Sequence, residues 1–295
     1  MNERQQYVGG SDAAAACGQS RFKTAYQLGL EKLGLLDPES LFDDTARERM
    51  AFGQAIEPVI ADMFAERYRV KLRRHHQLAH DATHPQLCAH YDRTLIGRPE
   101  GFEAKNVDSM AFRLGEWGEP GTDMVPTEYY LQCVHYLMVS GYERWHLGAC
   151  VGGSRLVCYV IERDEEAIDL LREGELDFWH HIERGTPPPL DYQHPTALGL
   201  MKRLYRNTNG QTVNLPPEAE ALHYARLDFD EHAKLMEKGS DAAKARLMDM
   251  MGDASIGLLP NGGAYRRKLV KRGGYVVEDT TYVDFRYSKK GGGNE

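Results

Sequence analysis

The chain has 295 residues, 42% hydrophobic and 27% charged, which suits a soluble globular protein with one large core or a core plus an appendage. Five cysteines (Cys17, Cys88, Cys133, Cys150, Cys158), with no C-x-x-C pair, argue against a disulfide framework, a zinc ribbon or a cysteine-ligated cluster; with no apolar leader and no apolar run near ~20 residues, a reducing cytoplasm is the expected compartment. The net charge of −8 does not advertise a nucleic-acid binder, but it is uneven, with 16 basic against 14 acidic residues from Asp191 onward and 20 against 30 before it.

Residues Arg4 to Gly18, RQQYVGGSDAAAACG, predict a break at Gly9-Gly10 and then a helix capped by Ser11 or Asp12 and carried by alanines. Such a helix start is a ready anion site, although a plain cap is the simpler role for Ser11. An amphipathic helix follows from about Thr24 to Leu33, stopped by Gly34 and Pro38. A long helix is predicted from about Thr45 to Tyr68, with apolar positions at Met50, Ile56, Val59, Ile60, Met63 and Phe64, and with a kink or restart at Pro58. Glu57 interrupts that apolar neighbourhood. It is either a solvated face residue or a carboxylate aimed inward at a metal.

His75, His76, His80, His84 and His90 come next, with Cys88. Several are four apart, a zinc spacing on a helix. This segment reads as extended, however, with Pro85 inside it, and four residues of strand span roughly 13 Å. Exposed or hydrogen-bonded histidines are the simpler reading. The stretch His84 to Val107 predicts a strand ending near Asp92, a turn marked by Gly and Pro, and a strand carrying Glu103-Ala104-Lys105. On a strand Glu103 and Lys105 share a face and Ala104 takes the other. With Asp92 beside them, two carboxylates and an ammonium converge. Two close carboxylates repel unless a proton or a cation sits between them, and a hard divalent ion such as Mg²⁺ is the usual solution.

Val125-Pro126 opens a helix that runs to Gly141, with Tyr130, Val134, Leu137 and Met138 on its apolar face and Gln132 and His135 as polar neighbours. Strands RWHLGACVG and RLVCYVIER are joined at Gly152-Gly153-Ser154, and a helix from about Glu165 to Arg184 ends at Gly185 and Pro187-Pro188-Pro189. That triple proline divides the chain into a domain at 1–189, a linker at 190–215, an extension at 216–288 and a tail at 289–295 expected to be disordered. The extension reads as two helices from Pro216 to Met251, broken at Lys238-Gly239-Ser240 into a helical hairpin rather than a sustained coiled coil. A β-hairpin from Ala264 follows, turning at Gly273-Gly274. Arg266, Arg267, Lys268, Lys271 and Arg272 make it basic, either as a solvated surface or as a DNA-backbone contact.

The order helix with Glu57, Asp92, strand with Glu103-x-Lys105, helix with Gln132 resembles the PD-(D/E)XK nucleases and, within them, the YqaJ-like viral recombinases, the family of lambda exonuclease. The resemblance rests on GGSDAAAACGQSRFKTAYQLGLEKLG, FGQAIEP, THPQLCAHYD, EAK, VPTEYYLQCVHYLMVSGY and FWHHIERGTPPP, in the family's order from about Arg4 to Pro189. It implies an α/β (α+β) restriction-endonuclease-like core, a central mixed sheet flanked by helices, followed by the helical-hairpin and β-hairpin extension.

The resemblance also implies roles. Asp92, Glu103, the backbone carbonyl of Ala104 and Glu57 would ligate Mg²⁺, with two ions per site and Mn²⁺ able to substitute. Lys105 would orient or activate the attacking water, and Gln132 would hold nearby phosphate or water. Arg4 and Ser11 would grip a terminal 5′-phosphate. His90 stands two residues before Asp92, where the family often has a small hydroxyl residue, and would meet the phosphate differently. The implied activity is 5′→3′ exonuclease digestion of double-stranded DNA ends in a phage or prophage recombination module inside a bacterial host. A ring-shaped homo-oligomer, commonly a trimer, and a single-strand-annealing protein are the implied partners, with no membrane. An endonuclease or single-strand-specific nuclease on the same core, or a non-catalytic DNA-end-binding protein, are the alternatives.

Overall fold

The computed structural model describes residues 3–271. A 3-10 turn at Glu3–Gln6 leads into a short strand, β1 (Val8–Gly9). A second 3-10 turn, Gly10–Asp12, leads into α1 (Ala13–Ala16), a single buried helical turn where the alanine run predicts a longer helix. In α2 (Ala25–Lys32), the Thr24 side chain accepts a hydrogen bond from the Gln27 amide and so caps the first turn. Next comes α3 (Asp44–Tyr68), capped by Asp43. It runs unbroken through Pro58, so the proline neither ends nor restarts it. Only its second half packs: Ile60, Ala61 and Phe64 are buried, whereas Met50 and Val59 are exposed.

Four short strands follow, β2 (Leu72–Arg74), β3 (Ala79–His80), β4 (Leu87–Ala89) and β5 (Arg93–Leu95), then a long one, β6 (Glu100–Val107). Asp92 therefore precedes a strand instead of ending one: it lies at the junction where the chain leaves β4 for β5. After α4 (Ser109–Leu114) and α5 (Thr127–Ser140) come β7 (Arg144–Val151), β8 (Arg155–Glu162) and α6 (Glu165–Glu183). A further helix, α7 (Ala197–Leu204), forms inside the stretch read as a linker; Ala197 and Leu200, three apart on one helical face, are buried. His194, just before it, hydrogen-bonds the Ser20 carbonyl at 2.6 Å.

The strands make a mixed five-stranded sheet in the order β2-β5-β6-β7-β8. β6 and β7 are parallel over eight residues, from Glu100↔Arg144 to Val107↔Val151, and the other pairs are antiparallel. A parallel pair needs a long crossover, and α4 and α5 supply it. A smaller sheet, β1-β4-β3, ties the N-terminus to β4, with Val8↔Leu87 and Gly9↔Cys88 in parallel register. Helices cover both faces of the large sheet. Trp145, Leu147, Tyr159 and Ile161 pack with Val134 and Leu137 of α5 and Phe178 of α6, while Phe102 and Leu156 pack with Ile60 and Phe64 of α3. Each such side chain, fully buried, contributes about 1.5–3 kcal/mol. The central mixed sheet flanked by helices is the architecture expected from the resemblance.

The chain forms two compact units, Met1–Tyr205 and Arg206–Glu295. In the second, the predicted helical hairpin is replaced by one helix, α8 (Glu218–Met251), which runs straight through Gly239. A glycine inside a helix costs only about 1 kcal/mol relative to alanine, and no proline stands nearby to enforce a break. The unit also holds a small antiparallel pair, β9 (Ile256–Leu258) and β10 (Ala264–Arg266). The residues predicted to open a hairpin at Ala264 thus pair back onto Ile256–Leu258, and the predicted turn at Gly273-Gly274 lies outside the described residues, as does the tail.

Candidate active site

Strand alternation builds the centre of the site. On β6, Phe102 and Ala104 turn toward α3, so Glu103 and Lys105 turn toward α5. Gln132 of α5 donates to Glu103 Oε1 at 2.7 Å, and Lys105 Nζ donates to the same oxygen at 2.6 Å. Glu103 Oε2 is buried and has no hydrogen-bond partner. The Asp92 carboxylate is held from the β6 backbone: Ala104 N–H donates to Asp92 Oδ2 at 2.8 Å.

Two carboxylates therefore face each other in a largely dry place. Burial, and then the negative charge of Glu103, push Asp92 up to about 8. Burial alone would lower the Lys105 ammonium; the charge and hydrogen bond of Glu103, with Asp92 behind, hold it above its ordinary value instead. The Tyr129 ring lies under the Lys105 ammonium, 5.4 Å from its centroid. A bare buried carboxylate oxygen opposite a second, repelled carboxylate is a donor set that fits a hard divalent cation.

The other expected residues are placed differently. Glu57 is engaged by Arg93, whose Nη1 donates to Glu57 Oε1 at 2.8 Å and to the Asp92 carbonyl at 2.6 Å. Among the described residues no three His, Cys, Asp or Glu side chains gather as a metal cluster, so Asp92 and Glu103 form a pair that Glu57 flanks through Arg93. Ala104, expected to act through its backbone carbonyl, meets Asp92 through its backbone N–H. His90 is exposed, two residues before Asp92. Arg4 and Ser11 are both exposed, and Lys32 ties their surroundings together: its Nζ donates to the Arg4 carbonyl and to Asp12 Oδ2, each at 2.7 Å.

Sequence reasoning missed three supports. Tyr136 OH accepts from Gln132 Nε2 at 2.7 Å, and the i, i+4 spacing of the two on α5 is a signal that could have found it. Gly10, next to Ser11, lies against the Tyr136 ring, which any side chain at position 10 would strike. The third is a fully buried pair: His135 Nδ1 lies 2.8 Å from Glu175 Oε1, and His135 Nε2 lies 2.8 Å from the Cys88 carbonyl, joining α5, α6 and β4. No local spacing announces contacts across 40 and 47 residues. A separate hollow of about 820 Å³ is lined by Arg144, Arg163 and Glu162, but Arg144 is paired with Glu162 and Arg163 with Glu165.

The YqaJ-like viral recombinase domain matches residues 1–143. The protein YqaJ of Bacillus subtilis (strain 168), described only as uncharacterized, is 28% identical over 262 residues, which is 88% of this chain and 79% of that protein. Among solved structures, the chain is similar to the alkaline exonuclease LHK-Exo of Laribacter hongkongensis, with 15% identity, a TM-score of 0.48, and coverage of 61% of this chain and 90% of that one. It is also similar to a phage related exonuclease from Haemophilus somnus 129PT, with 12% identity, a TM-score of 0.47, and coverage of 60% and 94%. The family match thus covers residues 1–143, just under half of the chain.

Proposed function

We propose that this chain is a Mg²⁺-dependent phage-type exonuclease that digests double-stranded DNA from 5′ ends. The carrying observation is Glu103: one oxygen is held by Gln132 and Lys105, and the other is buried, unpartnered and set against Asp92. The match of residues 1–143 to the YqaJ-like viral recombinase domain supports the same reading.

Asp92, Glu103 and the Ala104 carbonyl would hold the divalent cation, with Glu57 serving a second ion after exchanging its Arg93 partner. A bound cation would acidify a water and neutralise the phosphate. The chain's own residues do the rest. Ala104 N–H fixes the Asp92 carboxylate, and Gln132, itself braced by Tyr136, fixes Glu103. Lys105, a mobile point charge, can move from Glu103 to the attacking water or the scissile phosphate. Arg4 and Ser11 would receive the 5′-phosphate, with His90 beside the path of the strand. A ring of copies enclosing the duplex would let a net acidic chain bind DNA, since only the channel need be basic, and the 3′ strand left behind would suit a single-strand-annealing partner.

The test is digestion of linear duplexes with and without a 5′-phosphate beside a closed circle, in Mg²⁺, with Asp92→Ala as the blank. Rapid loss of the phosphorylated linear duplex alone is the expected result, with Arg4→Ala erasing the phosphate preference. Efficient cutting of the circle would make the enzyme an endonuclease, and end binding without hydrolysis would leave it a DNA-end-binding protein.

A further inference from the structure

Residues 67–76 read RYRVKLRRHH, five Arg or Lys and no acid, in a part of the chain where acids outnumber bases by 30 to 20. The run closes α3, with Arg69 in the left-handed region at φ 53°, and forms β2, the edge strand of the large sheet. Arg69, Lys71, Arg73 and Arg74 are exposed, and Arg98 joins them from the turn between β5 and β6. Arg69, Lys71 and Arg98 rim a hollow of about 230 Å³. None of these five cations enters an ion pair among the described residues, whereas neighbouring Arg93 is taken by Glu57. Strand alternation sorts them. Val70 and Leu72 pack with Phe64 and Phe102, so Lys71 and Arg73 turn to the other face of the sheet, the one that carries Glu103. His75, two residues on, keeps to that face and meets the Tyr91 ring at 5.2 Å. Arg73 stands opposite Thr94, and Thr94 opposite Gly101, two residues before Glu103. Two strand spacings and two residues put the α-carbons of Arg73 and Glu103 roughly 12 Å apart. Lys71 and then Arg69 lie progressively farther from the carboxylate pair.

Charged side chains on an edge strand also guard it against pairing with another chain. Either sign does that, and mixed signs do it without mutual repulsion. A guard therefore does not account for one sign alone, least of all for Arg74 directly opposite Arg93, where like charges destabilise the strand pair. Cations gathered without internal partners fit an external polyanion, and their line ends beside a carboxylate pair set up for a phosphodiester. We infer that the β2 edge is a DNA-backbone contact: Arg73 and Lys71 hold phosphates of the strand that passes Glu103, and Arg69 with Arg98 holds phosphates farther from the cut. Such contacts fix the register of the nucleic acid without reading its sequence. They also supply a local basic surface in an acidic chain. The inference rests on the nuclease reading for its partner, and it names residues outside the carboxylate site.

The salt dependence of DNA binding tests it, read by fluorescence anisotropy of a labelled duplex on the full-length chain carrying Asp92→Asn, so that the DNA stays whole. Arg73→Gln should flatten the slope of log affinity against log salt by about one, and Lys71→Gln with Arg73→Gln by about two, with an affinity loss of about tenfold or more at low salt. Arg155→Gln removes an equal charge from β8, the opposite edge of the sheet, and should leave the slope near that of the parent. Lys71 and Arg73 are exposed on an edge strand, so the double variant should melt no lower than the parent. If the double variant binds no differently from Arg155→Gln, the inference is overturned. Digestion of duplex DNA by wild type in Mg²⁺ is scored separately. Digestion with an unchanged slope in the double variant sinks the β2 contact and leaves the nuclease reading standing. No digestion and no DNA binding, with capture by phosphatidylserine vesicles that needs Lys71 and Arg73, would sink both and make the edge a membrane contact.

Discussion

Two acidic groups are buried on either side of α5, and the protein treats them in opposite ways. Glu175 is closed in charge: His135 meets its Oε1 through Nδ1 and uses Nε2 on the Cys88 carbonyl, although Glu175 Oε2, like Glu103 Oε2, has no hydrogen-bond partner. Burial lowers a histidine, but here the Glu175 charge and the two hydrogen bonds more than reverse that, and His135 sits above its ordinary value. Glu103 is open: Gln132 and the Lys105 ammonium fill one oxygen, the other is bare, and a second carboxylate, Asp92, stands close enough for the charge of Glu103 to push it up. Both arrangements carry the desolvation cost of a buried charge. One carboxylate meets one imidazole inside the fold; in the other case Asp92 and Glu103 share the single Lys105 ammonium, and the surplus negative charge waits for a charge from outside. On the proposed reading, the difference separates a residue that holds the structure from one that works on a substrate, and both are reached from the same helix, three residues apart at Gln132 and His135.

The largest effect should come from closing the open pair. Asp92→Asn keeps an acceptor for the Ala104 amide and removes the repulsion with Glu103, so the variant should fold at least as well as wild type. Hydrolysis should fall by about 10³-fold or more, on the order of 4 kcal/mol in the barrier. Mg²⁺ or Mn²⁺ should raise the melting temperature of wild type and leave that of Asp92→Asn unmoved. A variant that is still stabilised by the ions would show that they bind elsewhere.

Breaking the closed pair should act on stability first. His135→Leu strands Glu175 and the Cys88 carbonyl without partners, and removal of one member of a buried ion pair costs about 3–5 kcal/mol. The double variant His135→Leu with Glu175→Met should recover most of that loss, because a packed apolar pair can replace a buried ionic one. Denaturant titration of the two variants decides. If the double variant is no more stable than the single one, the cost lies in packing around α5 rather than in the stranded charge.

The contrast between the pairs also marks what was legible in the sequence. Glu103 and Lys105 could be put on one face because strands alternate, and Gln132 could be put on the facing helix because its neighbours repeat at helical spacing. The mixed sheet and its covering helices were expected from the family resemblance, and these periodicities alone do not give them. The residues that settle how the site is held were not legible. Arg93 takes Glu57 across 36 residues, and the Ala104 amide takes Asp92 across 12. Such contacts depend on how β5, β6 and α3 stack, and no local pattern encodes them. The course of α8 failed for the opposite reason. Lys238-Gly239-Ser240 looks like a break locally, but a penalty of about 1 kcal/mol is small against 34 residues of helix.

The smallest effect should come from the link between the N-terminal turn and the open pair. Gly10 lies against the Tyr136 ring, whose hydroxyl accepts from Gln132, which in turn holds Glu103. The Tyr136 ring stacks edge-on with Tyr91 at 5.4 Å and tilts against Trp145 at 4.9 Å, so it has little room to retreat. A methyl group at position 10 must push either the ring or its own turn. Gly10→Ala should therefore destabilise the fold by about 1–3 kcal/mol, the usual range for overpacking. If the ring moves, Gln132 moves with it, and divalent-ion stabilisation should weaken while the His135–Glu175 pair stays intact. If the turn moves instead, Ser11 and Asp12 shift, ion binding is unchanged, and only a preference for phosphorylated ends should drop. Melting curves with and without Mg²⁺, beside end-preference assays, separate the two outcomes. A variant indistinguishable from wild type in all of them would mean that the N-terminal turn and the carboxylate pair are mechanically independent.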